Sequence, residues 1–401
     1  MAYLKLMSYE NALEMMMERI VPIEDEREVP LDEAYNMISS REVSSPTQVP
    51  SYPKSQMDGY ALKASDSFKA TEEDPVPLKI IEALDAGMAP KKTIGIGECA
   101  YVATGAALPE GANSVVMIED VILKEGEALV TRSLAPGENM MTVGFDIPKG
   151  GKVLSRGDVL TSRKVAALSG VGLSSTYVLR RPRVAILSTG SEIILPGGRS
   201  SYGKTYDVNG AFLVSECRRL GCETTFLGIS NDNRDELLEK IASAKGHDLL
   251  LVSAGVSKGN KDLMESTLSE VGEVVLHGIN IKPGKPTLVS SLDGTLLVGL
   301  PGHPTSCAII FTMLVLPLIN KIRGSSYKFK SQNLKIEKRV VATKGRKQFL
   351  PVKVRGEYAS PVFRGSGAIS SFLHADGVAI IDENKEFLDA DETVKVVMLD
   401  D

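Results

Sequence analysis

In this 401-residue chain, residues able to do chemistry gather in three short loops, each following an apolar run. Arg183 to Leu187 leads into Ser188-Thr189-Gly190-Ser191-Glu192, and Leu249 to Val252 into Ser253-Ala254-Gly255-Val256-Ser257-Lys258-Gly259. Thr295 to Leu300 leads into Pro301-Gly302-His303-Pro304. A Gly-bearing loop after a strand lets backbone N–H groups approach an anion, and a following helix adds the positive end of its dipole. The first two loops fit that use. Neither is a Walker A loop or a complete Gly-x-Gly-x-x-Gly, so a P-loop hydrolase or an ordinary dinucleotide binder is unsupported. Downstream, Lys282-Pro283-Gly284-Lys285-Pro286 fixes two lysines in a rigid turn, which favours phosphate contact over plain solvation. Glu192, Asp232 and Asp262 fall just past strand ends. Carboxylates beside phosphates commonly hold Mg2+, a hard ion that takes oxygen ligands. Asp207 and Asn209 stand where helix caps stand routinely, and for Asp232 capping and ligand contact are evenly balanced. With four histidines and no Ser-His-Asp order, a hydrolytic triad is not supported. The residues alone reach a phosphate-bearing ligand with Mg2+.

These loops need a frame that brings them together. The alternation predicts strands at 183–188, 223–229, 248–253, 273–277 and 295–300, with helices at 209–220, 233–245, 262–270 and 304–320. Strands spaced by helices of this length imply βαβ units with right-handed crossovers. Ligands of open parallel sheets bind at the carboxyl ends of the strands. The expected centre is therefore an α/β domain with a mostly parallel sheet.

Before it, a helix is expected over 8–20 with Ser8 as cap and a short one over Leu31 to Ile38, then a Pro-rich stretch from Ser45 to Pro53. Asp58-Gly59 reads as a turn with an even chance of function. Short apolar runs at Ile80–Leu84, Ala100–Ala103, Ser114–Ile118 and Ala128–Thr131 suggest a small β module, interrupted by Thr104-Gly105-Ala106. Residues 137–150 read as a linker, 161–171 as a helix and 174–180 as a strand; after Ser331 the runs are again β-like.

Composition excludes rather than identifies. The length suits two to four domains. The net charge of −5 marks no general nucleic-acid binder. Cys99, Cys217, Cys222 and Cys307 match no zinc or redox spacing and are expected to be buried free thiols in a reducing cytoplasm. The amino terminus lacks a signal-peptide pattern, and the longest apolar run, Cys307 to Ile319, falls short of the roughly 20 residues that span a bilayer. A soluble intracellular protein with no membrane or nucleic-acid partner is the expectation.

Taken together, seven motifs resemble the molybdopterin molybdenumtransferase family, MoeA and the E domain of gephyrin. They are Met57-Asp58-Gly59-Tyr60-Ala61, Thr104-Gly105-Ala106, Gly144-Phe145-Asp146-Ile147, Ser188-Thr189-Gly190-Ser191-Glu192, Tyr206-Asp207-Val208-Asn209, the Lys282–Pro286 turn, and Gly299-Leu300-Pro301-Gly302-His303-Pro304. The resemblance covers essentially the whole chain and implies four domains. An elongated discontinuous domain takes 1–50 and 145–178, an inserted β-rich domain 51–144, an α/β molybdopterin-binding domain 179–325, and a C-terminal all-β domain 326–401. The implied activity is insertion of molybdate or tungstate into adenylylated molybdopterin with release of AMP, assisted by Mg2+ or Zn2+. The implied assembly is a homodimer whose clefts combine two subunits, with a molybdopterin adenylyltransferase as partner.

By motif position, Asp58, Thr104, Asp146, Glu192, Asp232 and Asp262 would be the catalytic polar groups, with Glu192 and Asp232 toward the metal. Thr189, Gly190, Ser191, Gly255, Ser257, Lys282, Lys285, Pro301, Gly302 and Pro304 would contact the substrate, joined by Ser366, Ser370 and Ser371. Departures from the family pattern are Met141 and Pro351 in place of arginines, Phe145 in place of an acidic residue, Ala254 for Gly and His303 for Asn. Loss of two arginines removes bidentate oxyanion donors, so a second expectation is a diverged carrier that binds molybdopterin or its nucleotide without efficient insertion. A third, an adenylyltransferase, leaves the extra domains unexplained.

Overall fold

The computed structural model describes residues 6–231, 233–254, 266–325 and 328–399. Its centre is a six-stranded sheet ordered Glu223–Ser230, Arg183–Thr189, Leu249–Ala254, Thr295–Pro301, Leu288–Leu292, Glu273–His277. The first four strands are parallel, and Leu288–Leu292 runs antiparallel to both its neighbours, Thr295–Pro301 and Glu273–His277. Continuous apolar runs such as Val184–Leu187 and Leu249–Val252 are fully buried because both faces of the sheet are covered. Helix Val208–Arg219 and the long helix from Pro304 pack on one face, where Phe212 meets Phe311 edge-on at 5.7 Å. Arg234–Ser243 and the helix at 266–271 cover the other. Register then places the chemistry: Thr189 stands beside Ala254, and Ala254 beside Pro301, so the three loop-bearing strands end level.

Strand Leu288–Leu292 was not anticipated. It forms a hairpin with Thr295–Pro301 through Asp293-Gly294, both at positive φ, the turn chemistry that a two-residue hairpin requires.

The first helix, Tyr9–Glu18, is capped by Ser8, whose Oγ accepts from Asn11 N at 3.2 Å. It buries Ala12 and Met16 in the central core, and Tyr9 donates to Met313 O at 3.0 Å. The expected helix over 31–38 is absent. Isolated turns, Glu33 N to Pro30 O and Ala34 N to Leu31 O, run into Asn36 at φ +58°, a left-handed conformation that ends any helix. Asn36 instead donates to Arg219 O at 2.8 Å and accepts from Arg323 at its carbonyl, 2.9 Å.

Flanking the centre are a three-stranded sheet (Glu26–Pro30, Ser175–Leu179, Ile38–Ser39) and a six-stranded module from Gly59–Leu62 to Glu127–Val130. In the C-terminal sheet, Lys347–Arg355 pairs with both Tyr358–Pro361 and Gly377–Ile381 and takes Ile281–Lys282 as a guest strand. The helix over 304–320 extends to Ile322: Pro304 occupies its first turn, and the π-helical stretch Phe311–Val315 carries it into Pro317. Pro304–Ile322 is thus long and apolar enough to cross a membrane, but 89% of its most apolar window is buried inside the protein. All four cysteines are buried free thiols, and burial pushes Cys99 and Cys222 up to about 12, so both stay neutral.

Candidate functional site

The level strand ends open into a cavity of about 310 Å³ whose floor is built from short polar side chains. Ser188, the penultimate residue of its strand, donates from Oγ to Asp207 Oδ2 at 2.6 Å. Asp207 Oδ1 accepts from Gly210 N at 2.8 Å, so one carboxylate caps a helix and fixes a strand end together. Two residues on, Asn209 divides its amide between Ser253 Oγ at 2.8 Å and Gly302 O at 2.9 Å. Thr189 Oγ1 donates to Ser253 O at 3.4 Å. All three loops are therefore stitched by side chains of the floor itself.

Glu192 also lines the cavity, and its carboxylate makes no hydrogen bond or ion pair among the described residues. It folds back over Gly190, whose φ of +143° is a backbone conformation that side chains rarely adopt; a Cβ there would stand 2.8 Å from Glu192 Oε2 and displace the carboxylate. The Ser191 carbonyl accepts from Lys204 Nζ at 2.6 Å, closing a small flap in which Ile193–Ile194 pairs with Thr205–Tyr206.

The C-terminal domain supplies the far wall. Ser366 Oγ shares a 3.0 Å hydrogen bond with His303 Nδ1. Thr305 donates from its amide to Ser366 O at 3.0 Å and from Oγ1 to Ala368 O at 2.9 Å. Gly367 and Ile369 then face the cavity. Ser371 is buried and accepts from Arg364 N at 2.8 Å, holding the loop in shape. Ser370 faces a separate hollow with Lys338, Arg364 and His374.

A second polar grouping lies in the β module. Asp58 Oδ1 accepts from Thr104 N at 2.7 Å and from Thr104 Oγ1 at 3.0 Å. These bonds, the backbone one foremost, hold the exposed Asp58 carboxyl below its ordinary value of 3.8. Asp146 is exposed beside the exposed Phe145, its amide donating to Val49 O at 3.0 Å.

Of the residues singled out from sequence, Thr189, Glu192, Gly302 and Pro304 line the cavity, with Gly190, Ser191, Pro301 and Ser366 adjoining it through the contacts above. Asp58, Thr104, Asp146 and Lys285 do not line it. Lys282 is in the guest strand of the C-terminal sheet, donating to Thr343 Oγ1 at 2.8 Å. Asp232, Gly255, Ser257 and Asp262 lie outside the described residues. Sequence reasoning missed Ser188, Ser253 and Asn209 as floor residues. A buried-polar signal was present at Asn209, a second amide or acid three positions ahead of the apolar stripe of its helix and directly before Gly210, but it read as a cap.

The cavity's polar groups are mostly oxygens, from Ser188, Thr189, Asp207, Ser253 and the open Glu192 carboxylate, joined by the Asn209 amide and the His303 imidazole. Among the described residues, no group of three His, Cys, Asp or Glu is arranged to hold a metal. The set can hydrogen-bond a polar ligand and offer one carboxylate to a hard cation.

Sequence comparison matches three family profiles in order along the chain. They are "MoeA N-terminal region (domain I and II)" over 7–172, "Probable molybdopterin binding domain" over 185–321 and "MoeA C-terminal region (domain IV)" over 333–399. The chain is 31% identical to a molybdopterin molybdenumtransferase of Haemophilus influenzae, covering 98% of both chains. It is 27% identical to one of Staphylococcus aureus, over 92% and 90% of the two chains. Among solved structures, a molybdopterin biosynthesis MoeA protein of Pyrococcus horikoshii superposes with a TM-score of 0.81 at 39% identity, covering 98% of this chain and 99% of that one. A second from the same organism gives 0.84 at 28% identity, covering 98% and 100%.

Proposed function

The chain belongs to the MoeA family, and on that premise we propose that it transfers molybdate to adenylylated molybdopterin in molybdenum cofactor biosynthesis, with release of AMP. The observation that carries this reading is the cavity at the level strand ends, a polar floor with the Glu192 carboxylate unpaired among the described residues, walled by the C-terminal loop through His303 and Ser366. Hydroxyl and amide groups there suit a phosphorylated, hydrogen-bonding ligand. The carboxylate and hydroxyl oxygens there suit Mg2+, while the His303 imidazole on the same wall is a ligand type that Zn2+ takes as well. Glu192 would hold the ion, together with Asp232. Bound there, it would supply Lewis-acid polarisation of the phosphoryl oxygens during hydrolysis of the adenylyl bond.

Asp58, Thr104 and Asp146 stand apart from the cavity of their own chain, which supports a homodimer in which the β module of one subunit completes the cleft of the other. A cytoplasmic setting, with a molybdopterin adenylyltransferase supplying the adenylylated substrate, belongs to the same reading. A carrier role is favoured only by Met141 and Pro351, neither of which offers a side-chain donor to an oxyanion.

The test is AMP release from adenylylated molybdopterin with Mg2+, comparing molybdate and tungstate. Oxyanion-dependent release is expected, and Glu192→Gln and Asp58→Asn are expected to abolish it. Binding of the nucleotide with no oxyanion-dependent release selects the carrier; unchanged release in both variants removes these two residues from the mechanism.

A further inference from the structure

We infer that Tyr206 is the surface on which the flat heterocycle of the ligand stacks, an inference that rests on the function proposed above. Tyr206 lines the cavity, yet 43% of it is exposed. Its neighbours on the floor are polar and already engaged with one another, so an uncovered aromatic ring at this rim is the exception. Three ties hold it there. Thr205 N donates to Glu192 O at 2.9 Å and Asp207 N to Ile194 O at 2.8 Å, fixing the backbone on both sides. The phenol donates to Gly198 O at 3.1 Å, which keeps the ring from swinging away. A tyrosine fixed in this way presents a large area at little cost in side-chain freedom.

Beside Tyr206 the rim carries aliphatic surface together with the polar Thr205 and His303. Ile193 and Ile369, the latter 54% exposed, line the same cavity, and Gly367 brings no side chain into it. A polar floor beneath an aromatic and aliphatic rim fits a ligand with a charged or hydrogen-bonding end and a planar ring system. A linear phosphate would leave the ring uncovered. The chemical class is a fused-ring nitrogen heterocycle carrying phosphate, and the substrate proposed above contains two, the pterin and the adenine.

Binding of molybdopterin and of AMP to the full-length protein, by calorimetry, separates them. Stacking of a base on an aromatic side chain is worth enough that Tyr206→Leu should weaken binding of one of the two ligands about tenfold. Tyr206→Phe keeps the ring and loses the tie to Gly198, and should stay within about threefold of wild type. Weakening confined to molybdopterin assigns the pterin to this face; weakening confined to AMP assigns the adenine. Wild-type affinity in the leucine variant overturns the inference, as does an equal loss in the phenylalanine variant or an equal loss of both ligands, each of which reads as collapse of the flap. Should the leucine variant not fold, ligand emission decides: quenching of an oxidised pterin phosphate or of 2-aminopurine riboside monophosphate on binding to the wild type and to Tyr206→Phe supports stacking, and undiminished emission of both bound probes overturns it. If the wild-type protein binds neither ligand, the reading of the cavity fails first and this inference with it.

Discussion

Asn209 donates its side-chain amide to the carbonyl oxygen of Gly302 at 2.9 Å, joining the first turn of one helix to the loop that opens another. The second amide hydrogen goes to Ser253 Oγ at 2.8 Å, so one buried side chain ties its helix to two loops. Asn209→Ala leaves a buried carbonyl and a hydroxyl without this donor and should destabilise the protein by about 1–3 kcal/mol. Asn209→Asp, which turns a donor toward a carbonyl into an acceptor, should cost more. Denaturant unfolding measures the first effect. AMP release should fall in both variants, because the loops lose their common tie; full activity in Asn209→Asp would show that the tie does not position the site.

In the β module, the paired bonds from Thr104 favour the ionised form of Asp58. Its carboxyl is depressed, so the interaction is fully present above the ordinary value of 3.8 and is lost as pH falls through the lower folded value. Thr104→Val removes the hydroxyl but keeps the stronger backbone donor. The Asp58 titration followed by NMR should therefore move up part of the way toward 3.8, leaving the group ionised at neutral pH. A titration that does not move would assign the whole depression to the backbone.

What could be read in advance follows what burial leaves in a sequence. Val184–Leu187 and Leu249–Val252 are covered on both faces, so their continuous apolar runs announced central parallel strands. Their register left no trace in composition, yet it is register that levels Thr189, Ala254 and Pro301. Leu288–Leu292 carries two serines in a five-residue run, and its signal was the Asp293-Gly294 turn beyond it. Over Leu31 to Ile38 the apolar spacing suggested a helix, but the left-handed Asn36 and its ties to Arg219 and Arg323 decide the local structure, and these are tertiary. Lys282 was legible as a fixed lysine; its partner Thr343, far along the chain, was not. The glycine loops were found because glycine is a backbone signal, whereas Asn209 was passed over because a cap and a floor residue look alike before the strand ends are in place.

Arg180 and Asp248 form a well-shielded ion pair of the central domain, with two bonds of 2.8 Å and a third to Asp248 from Arg183 N at 2.7 Å. Burial pushes the Asp248 carboxyl up, but Arg180 and the Arg183 amide together outweigh it and hold the group below 3.8. Arg180→Ala should cost about 2–3 kcal/mol at pH 7, since it strands a half-buried carboxylate. The sign of the pH dependence follows from the depression: the pair stabilises above the ordinary carboxylate value, and its contribution disappears as pH falls through the folded value. Stabilities of wild type and variant should therefore converge as pH falls below the ordinary carboxylate value of 3.8, and a gap that stays constant through the acid range would contradict the pairing.

Gly210 admits no side chain. A Cβ would stand 2.3 Å from Asp207 Oδ2 and 2.9 Å from both Ser188 Oγ and a ring carbon of Phe226. Gly210→Ala must push the capping carboxylate out of its seat, at a cost of about 1–3 kcal/mol for the overpacking. Because Asp207 and Ser188 line the cavity, ligand affinity should fall along with thermal stability. Weakened binding without a lowered Tm would place the damage in the floor alone.

The separation of Asp58 from Glu192 within one chain makes a decisive test of assembly. Glu192 lines the cavity and Asp58 does not, so a cleft completed by the partner subunit contains Glu192 of one chain and Asp58 of the other. Asp58→Asn and Glu192→Gln are each expected to be inactive as homodimers. Unfolded together at equal amounts and refolded, they should give half mixed dimers if subunits pair at random. In each mixed dimer, one cleft combines both substitutions and its mate is intact, so about a quarter of all clefts should regain activity. If each cleft instead belongs to a single chain, every chain carries one defect and mixing restores nothing. AMP release before and after mixing distinguishes the two architectures, and size-exclusion chromatography with light scattering checks that dimers have reformed.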